Sequence, residues 1–201
     1  MNAQGKPDVS NLIRCQCKEV EDRANRDALL MEMCELPAKA KNMTMDNFEV
    51  TDRNREAYEW AKKLIDGELV WLIMADVTGT GKTHLALAVC QEWLKQKKPA
   101  KYTYVPRLLD ELKAGMNDHT LEYRFKLYCT VPLLIMDDLG LERSSEWVTD
   151  RLTTLINERL MNELPLIVTT NKSLGQLPGD DEGRISSRLT RESFCHAVVM
   201  E

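Results

Sequence analysis

The chain is 201 residues long, 43% apolar and slightly acidic, with a formal net charge of −5 and a pI near 5.4. This suits one main domain with a sizeable core and excludes a whole-chain basic field for nucleic acid, so any DNA contact needs a local patch or an oligomer. Cysteines 15, 17, 34, 90, 129 and 195 fall largely in helix- or strand-like stretches, as reduced thiols do; with no apolar leader and no run near the roughly 18 apolar residues of a membrane helix, a cytoplasmic protein without membrane association is expected.

Residues 1–50 read as an N-terminal extension: a polar lead, then one helix with a weak apolar face at Leu29, Leu30, Met31 and Met33. Leu36-Pro37 ends it, because a residue before proline is pushed out of the α region. An irregular connector follows to Val50. Residues 51–201 read as a separate core. Thr51 or Asp52 is the expected cap of a helix whose Ala57, Trp60, Ala61, Leu64 and Ile65 share one face, and Gly67 stops it. Leu69 to Ala75 is an apolar strand, Lys82 to Gln96 a helix burying Leu85, Val89 and Trp93, and Lys101 to Val105 a short strand. Two helical stretches run to Cys129, Val131 to Asp137 is a second buried strand, and Glu146 to Asn162 carries Trp147, Val148, Leu152, Leu155, Ile156 and Leu160 on one helical face. Leu164 to Thr170 is the next strand, Arg184 to Thr190 a last helix, and Ala197 to Met200 a fifth strand. Strands alternating with helices imply a parallel sheet covered on both faces, an α/β fold.

The turn Asp76-Val77-Thr78-Gly79-Thr80-Gly81-Lys82-Thr83 fits the phosphate-loop pattern G-x-x-x-x-G-K-[ST] at every fixed position but the first, where Asp76 replaces glycine and is expected to face solvent. Gly79 and Gly81 let successive N–H groups turn toward phosphates, Lys82 reaches the β- and γ-phosphates, and Thr83 offers its hydroxyl to Mg²⁺. Thr78, Thr80 and His84 complete the expected ATP-binding set. The strand Leu133 to Asp138 ends in two carboxylates, Asp137 as the metal residue and Asp138 as the base that polarises water, with Glu142 as the fallback base. Asn171, at the end of the following strand, can orient that water. Arg184 and Arg188 lie four apart on one helix face and read either as a solvated face or as an arginine finger completing a neighbouring subunit's site. Cys15, Cys17 and Cys34 are short of the four ligands of a structural zinc. Lys95, Lys97, Lys98 and Lys101 suit a solvated helix end better than a DNA patch.

Together these residues resemble the AAA+ ATPases of the DnaC/DnaI helicase-loader family and the related IstB-type transposition helpers, over about residues 36–200. The resemblance rests on Gly79-Thr80-Gly81-Lys82-Thr83-His84-Leu85-Ala86, Asp137-Asp138-Leu139-Gly140, Val168-Thr169-Thr170-Asn171 and Arg184-Ile185-Ser186-Ser187-Arg188-Leu189, with Met45-Asp46-Asn47-Phe48 similar to the segment bordering the family's adenine pocket. It implies a P-loop NTPase core: a five-stranded parallel sheet sandwiched by helices, without a C-terminal helical lid, behind a helical extension that serves as a helicase-binding arm. It implies ATP hydrolysis with Mg²⁺, a homo-oligomer formed on ATP binding, Arg188 before Arg184 as the finger, and a replicative helicase and single-stranded DNA as partners; slow turnover is expected from Asp138, a methylene shorter than the glutamate common at that position. The alternatives are a transposase helper or a weakly hydrolysing regulatory module.

Overall fold

The computed structural model describes residues 16–75, 77–177, 180, 183–191 and 195–200, with side chains from residue 25 onward. Asp76 and Cys15, and the side chain of Cys17, lie outside the described residues, and with them the solvent-facing position expected of Asp76 and the expected cysteine cluster.

Helix α1 (Gln16–Cys34) ends where Glu35 takes a left-handed φ of 55°, two residues before Pro37. A short 3-10 turn, Ala38–Asn42, leads into the connector. Helix α2 (Arg55–Asp66) buries Ala57, Ala61 and Leu64, and Gly67 closes it at φ 83° with its N–H on the carbonyl of Leu64. Its cap position is Asn54, not the expected Thr51 or Asp52; the Asn54 carboxamide instead accepts from the Thr51 N–H at 2.7 Å. Strand β1 (Trp71–Ala75), helix α3 (Lys82–Lys95), strand β2 (Ala100–Tyr104), helices α4 (Val105–Asn117) and α5 (Leu121–Thr130), and strand β3 (Leu133–Leu139) follow. Helix α6 (Glu146–Met161) starts on a serine cap, the Ser145 hydroxyl accepting from the Val148 N–H. Strand β4 (Leu166–Thr170), the single turn α7 (Ser186–Leu189), shorter than expected, and strand β5 (Cys195–Val199) end the order.

The strands form one parallel sheet in the order β2-β3-β4-β1-β5. Because side chains alternate across a strand, Trp71, Ile73, Leu134, Met136, Leu166 and Val168 pack under α4, α5 and α6, while Leu72, Met74, Leu133, Ile135 and Ile167 pack under α2 and α3. The second layer also buries Cys34, from the end of α1, and Phe48, from the connector. Arg159, fully buried on α6, donates from Nη1 to the carbonyls of Tyr128 and Val131, both at 2.9 Å, and from Nη2 to those of Pro132 and Pro165. One guanidinium thus ties the end of α5 to the segments that open β3 and β4. Burial lowers its pKa to about 10. With β4 between β1 and β3, the ends of all three strands meet along one edge of the sheet, where ligands bind in open parallel sheets.

Candidate nucleotide site

The turn between β1 and α3 needs its glycines for two reasons. Gly79 and Gly81 both have positive φ, 83° and 94°, which side-chain-bearing residues rarely adopt. At Gly81 a Cβ would also stand 3.0 Å from Cε2 of Phe48, so the ring would have to shift to admit one. The α3 amino end opens directly from this turn, so its first N–H groups and positive dipole end face an anion bound there. Lys82 is only 5% exposed, its ammonium held inside the turn by the Val77 carbonyl at 2.5 Å and near the Thr80 hydroxyl at 3.5 Å.

Beside this turn lies a cavity of about 320 Å³ lined by Phe48, Thr51, Asn54, Thr78, Gly79 and His84 among others. Phe48 stacks on Tyr58 and meets the His84 ring edge-on, while His84 Nε2 lies 3.2 Å from both the Thr44 carbonyl and Asn47 Oδ1. Asn54, buried, donates to the Glu49 carbonyl and, at 3.4 Å, to that of Thr80. Connector and phosphate loop are thereby one wall. Asn54 is a site residue that sequence reading missed, because an asparagine ahead of a helix reads as a cap.

At the end of β3, Asp137 collects three hydroxyl donors. Its Oδ1 accepts from Thr83 at 3.0 Å and from Thr169 at 2.6 Å, and its Oδ2 accepts from Tyr102 at 2.7 Å. Thr83 belongs to α3, Thr169 to β4 and Tyr102 to β2, so the carboxylate is where three elements converge. Burial, then the charge of Asp137, raises the Tyr102 pKa, leaving its phenol a donor. β3 is irregular between Met136 and Leu139, and Asp138 takes a left-handed φ of 59° that turns its side chain out of the regular alternation. Its N–H donates to the Thr169 hydroxyl at 2.9 Å, and its Oδ1 accepts from the Asn171 amide at 3.0 Å. Burial first, and then Asp137, raises the pKa of Asp138, while Lys82, Lys39 and Asn171 oppose the rise. Its carboxylate is therefore a stronger base than a solvated aspartate. Glu142 folds back on its own turn, accepting from the Gly140 N–H at 2.8 Å.

Lys82, Thr83, Asp137, Asp138 and Asn171 are thus grouped as expected, and Thr78, Gly79, Thr80, Gly81 and His84 line the adjoining cavity. Arg184 and Arg188 are not part of its lining. Arg188 donates to Asn157 on α6 and to the Arg184 carbonyl, and Arg184 lies 3.8 Å from Asp150. The lysine cluster is occupied internally: Lys95 pairs with Glu92, Lys97 with Asp27 and Lys101 with Glu35, and Lys98 sits over the Trp93 ring. Among the described residues no group of three or more His, Cys, Asp or Glu is placed to hold a metal by itself. The hydroxyl of Thr83 beside the carboxylate of Asp137 instead fits a magnesium ion brought with a nucleotide, since such ions keep few protein ligands.

The model of IstB-like ATP binding proteins matches residues 11–181. The chain belongs to that family. It is 26% identical over 194 residues to the replicative helicase loader DnaI of Bacillus subtilis (strain 168), covering 93% of this chain and 62% of that protein. An ATP-binding protein of an insertion sequence in Mycobacterium tuberculosis is 30% identical over 147 residues, 73% of this chain and 55% of its own length. The chain therefore spans less than two thirds of these relatives. A solved structure of the replication initiator DnaA bound to AMPPCP and single-stranded DNA matches 80% of this chain and 50% of its own with a TM-score of 0.72 at 26% identity. The family member described here is a P-loop NTPase of the AAA+ type, with the ATP-binding architecture of its relatives. Among the described residues no helix is long and apolar enough to cross a membrane.

Proposed function

We propose that this chain is an ATP-switched loader that helps place a hexameric replicative helicase on single-stranded DNA, with residues 1–50 as its helicase-facing arm and residues 51–201 as its ATPase core. The observation that carries the nucleotide half of this reading is the convergence of Thr83 and Thr169 on Asp137 behind a buried Lys82. Lys82 neutralises the β- and γ-phosphates, and the α3 amino end and the turn amides hold their oxygens. Thr83 and Asp137 would hold magnesium, which when bound would neutralise charge on the phosphates. Asp138, gripped by Asn171, takes a proton from water aligned with the γ-phosphate, and Asn171 keeps the base turned toward it. Arg188, with Arg184 beside it, reaches a neighbouring subunit's site in an ATP-dependent homo-oligomer, where a finger of this kind stabilises developing charge. Hydrolysis is slow until that neighbour arrives.

The loader is favoured over a transposase helper because similarity to DnaI runs over 93% of the chain, while that to the insertion-sequence protein covers 73%. With the lysine cluster paired internally, contact with DNA falls to the assembled oligomer. Size-exclusion chromatography with light scattering, run with ATP and purified replicative helicase from the same host, tests the reading: a stoichiometric complex is expected. Binding to a transposase and not to the helicase would overturn it.

A further inference from the structure

We propose that Tyr102 is a positioning residue for the magnesium aspartate, its phenol holding Asp137 Oδ2 so that Oδ1 stays turned to Thr83. The proposal rests on the nucleotide-site reading above and adds to it a residue outside every motif that carries that reading.

A carboxylate turns easily about its terminal torsion, which is broad and two-fold. Thr83 and Thr169 both meet Asp137 at Oδ1, so together they restrain the torsion through one oxygen only. Tyr102 supplies the second fixed point at 2.7 Å on Oδ2. With donors on both oxygens, turning the carboxylate strains bonds at both ends rather than at one.

The position of Tyr102 is itself held. It sits on β2, the strand at one edge of the sheet, paired with Ile135 in β3. It packs against the layer that buries Cys34, at the end of α1, whose thiol lies 3.3 Å from the thiol of Cys90 on α3. The preceding residue, Lys101, is buried and pairs with Glu35 at 2.6 Å. Glu35, just past the end of α1, therefore anchors β2 at the residue next to the one whose hydroxyl aims Asp137. Residues 34 and 35 of the extension thus pack beside the strand that carries this tyrosine.

The test uses the full chain and a fluorescent ATP analogue, titrated first in EDTA and then against magnesium. Tyr102→Phe removes one oxygen and keeps the ring, and Tyr102→Met is the second variant should the first fail to fold, with thermal melting to check folding. In EDTA the variant is expected to bind the analogue within about twofold of the parent, because the phosphate loop is untouched. The magnesium concentration giving half the metal-dependent gain in affinity should rise by about tenfold, the low end of what one hydrogen bond to a charged group contributes. A folded variant whose magnesium midpoint equals the parent's overturns the proposal, since tyrosine would then be only packing. A parent that fails to bind the analogue in either condition would instead sink the nucleotide-site reading itself.

Discussion

Thr169 offers the sharpest test of how the site is assembled, because its one hydroxyl is used twice. It donates to Asp137 Oδ1 at 2.6 Å and accepts from the Asp138 N–H at 2.9 Å, in a side chain that is fully buried. Thr169→Val keeps the shape and removes both. The lost bond to a charged acceptor is worth about 1.5–3 kcal/mol, and leaving the Asp138 N–H unpaired costs about 1–3 kcal/mol. Burying a methyl in place of the hydroxyl returns about 1 kcal/mol. A net loss of about 3 kcal/mol follows, which in a chain of this size lowers the melting temperature by about 6–12 °C. Thr169→Ser, which keeps the hydroxyl and loses a methyl, should fall by about 1 kcal/mol. Differential scanning calorimetry of the three proteins without nucleotide reads this directly, before any question of activity arises. If the valine variant melts within about 2 °C of the parent, or the serine variant melts below the valine variant, the hydroxyl does not join the two aspartates as described.

Arg159→Met leaves four carbonyls at the joint of α5, β3 and β4 without their shared donor, so urea denaturation should reveal a loss of about 3–5 kcal/mol; an unchanged midpoint would mean that the carbonyls find other partners. Gly81→Ala puts a Cβ at φ 94° and 3.0 Å from a Phe48 ring already seated against Tyr58 and His84, so a destabilisation of about 1–3 kcal/mol is expected in the same assay, together with weaker binding of a fluorescent ATP analogue. Arg188→Ala should leave nucleotide affinity intact while steady-state phosphate release, measured at protein concentrations that support assembly, falls by about 10³. Equal turnover in parent and variant would remove Arg188 from the finger role.

The local sequence was enough to determine the phosphate loop, because its requirements are local: two positive-φ positions, a lysine and a threonine in fixed order at a strand-to-helix turn. It determined the parallel sheet as well, since strands such as 71–75 are apolar at every position and only a sheet covered on both faces accommodates that. The paired aspartates and Asn171 were legible as ends of apolar strands. Tertiary structure alone decided which groups those side chains would meet. Tyr102 lies 35 residues from Asp137, and Thr169 lies 32 from it, and they become its donors only because β2 and β4 flank β3 in the sheet. Asn54 reads as a helix cap until the connector folds against the loop at Thr80. The lysines from Lys95 to Lys101 read as a solvated helix end until α1 brings Asp27 to Lys97 and Glu35, just past its end, to the buried Lys101. A hydrogen bond or an ion pair between distant residues depends on strand order and helix docking, which a one-dimensional pattern does not contain; a tight turn depends only on its own few residues, and these are written in order.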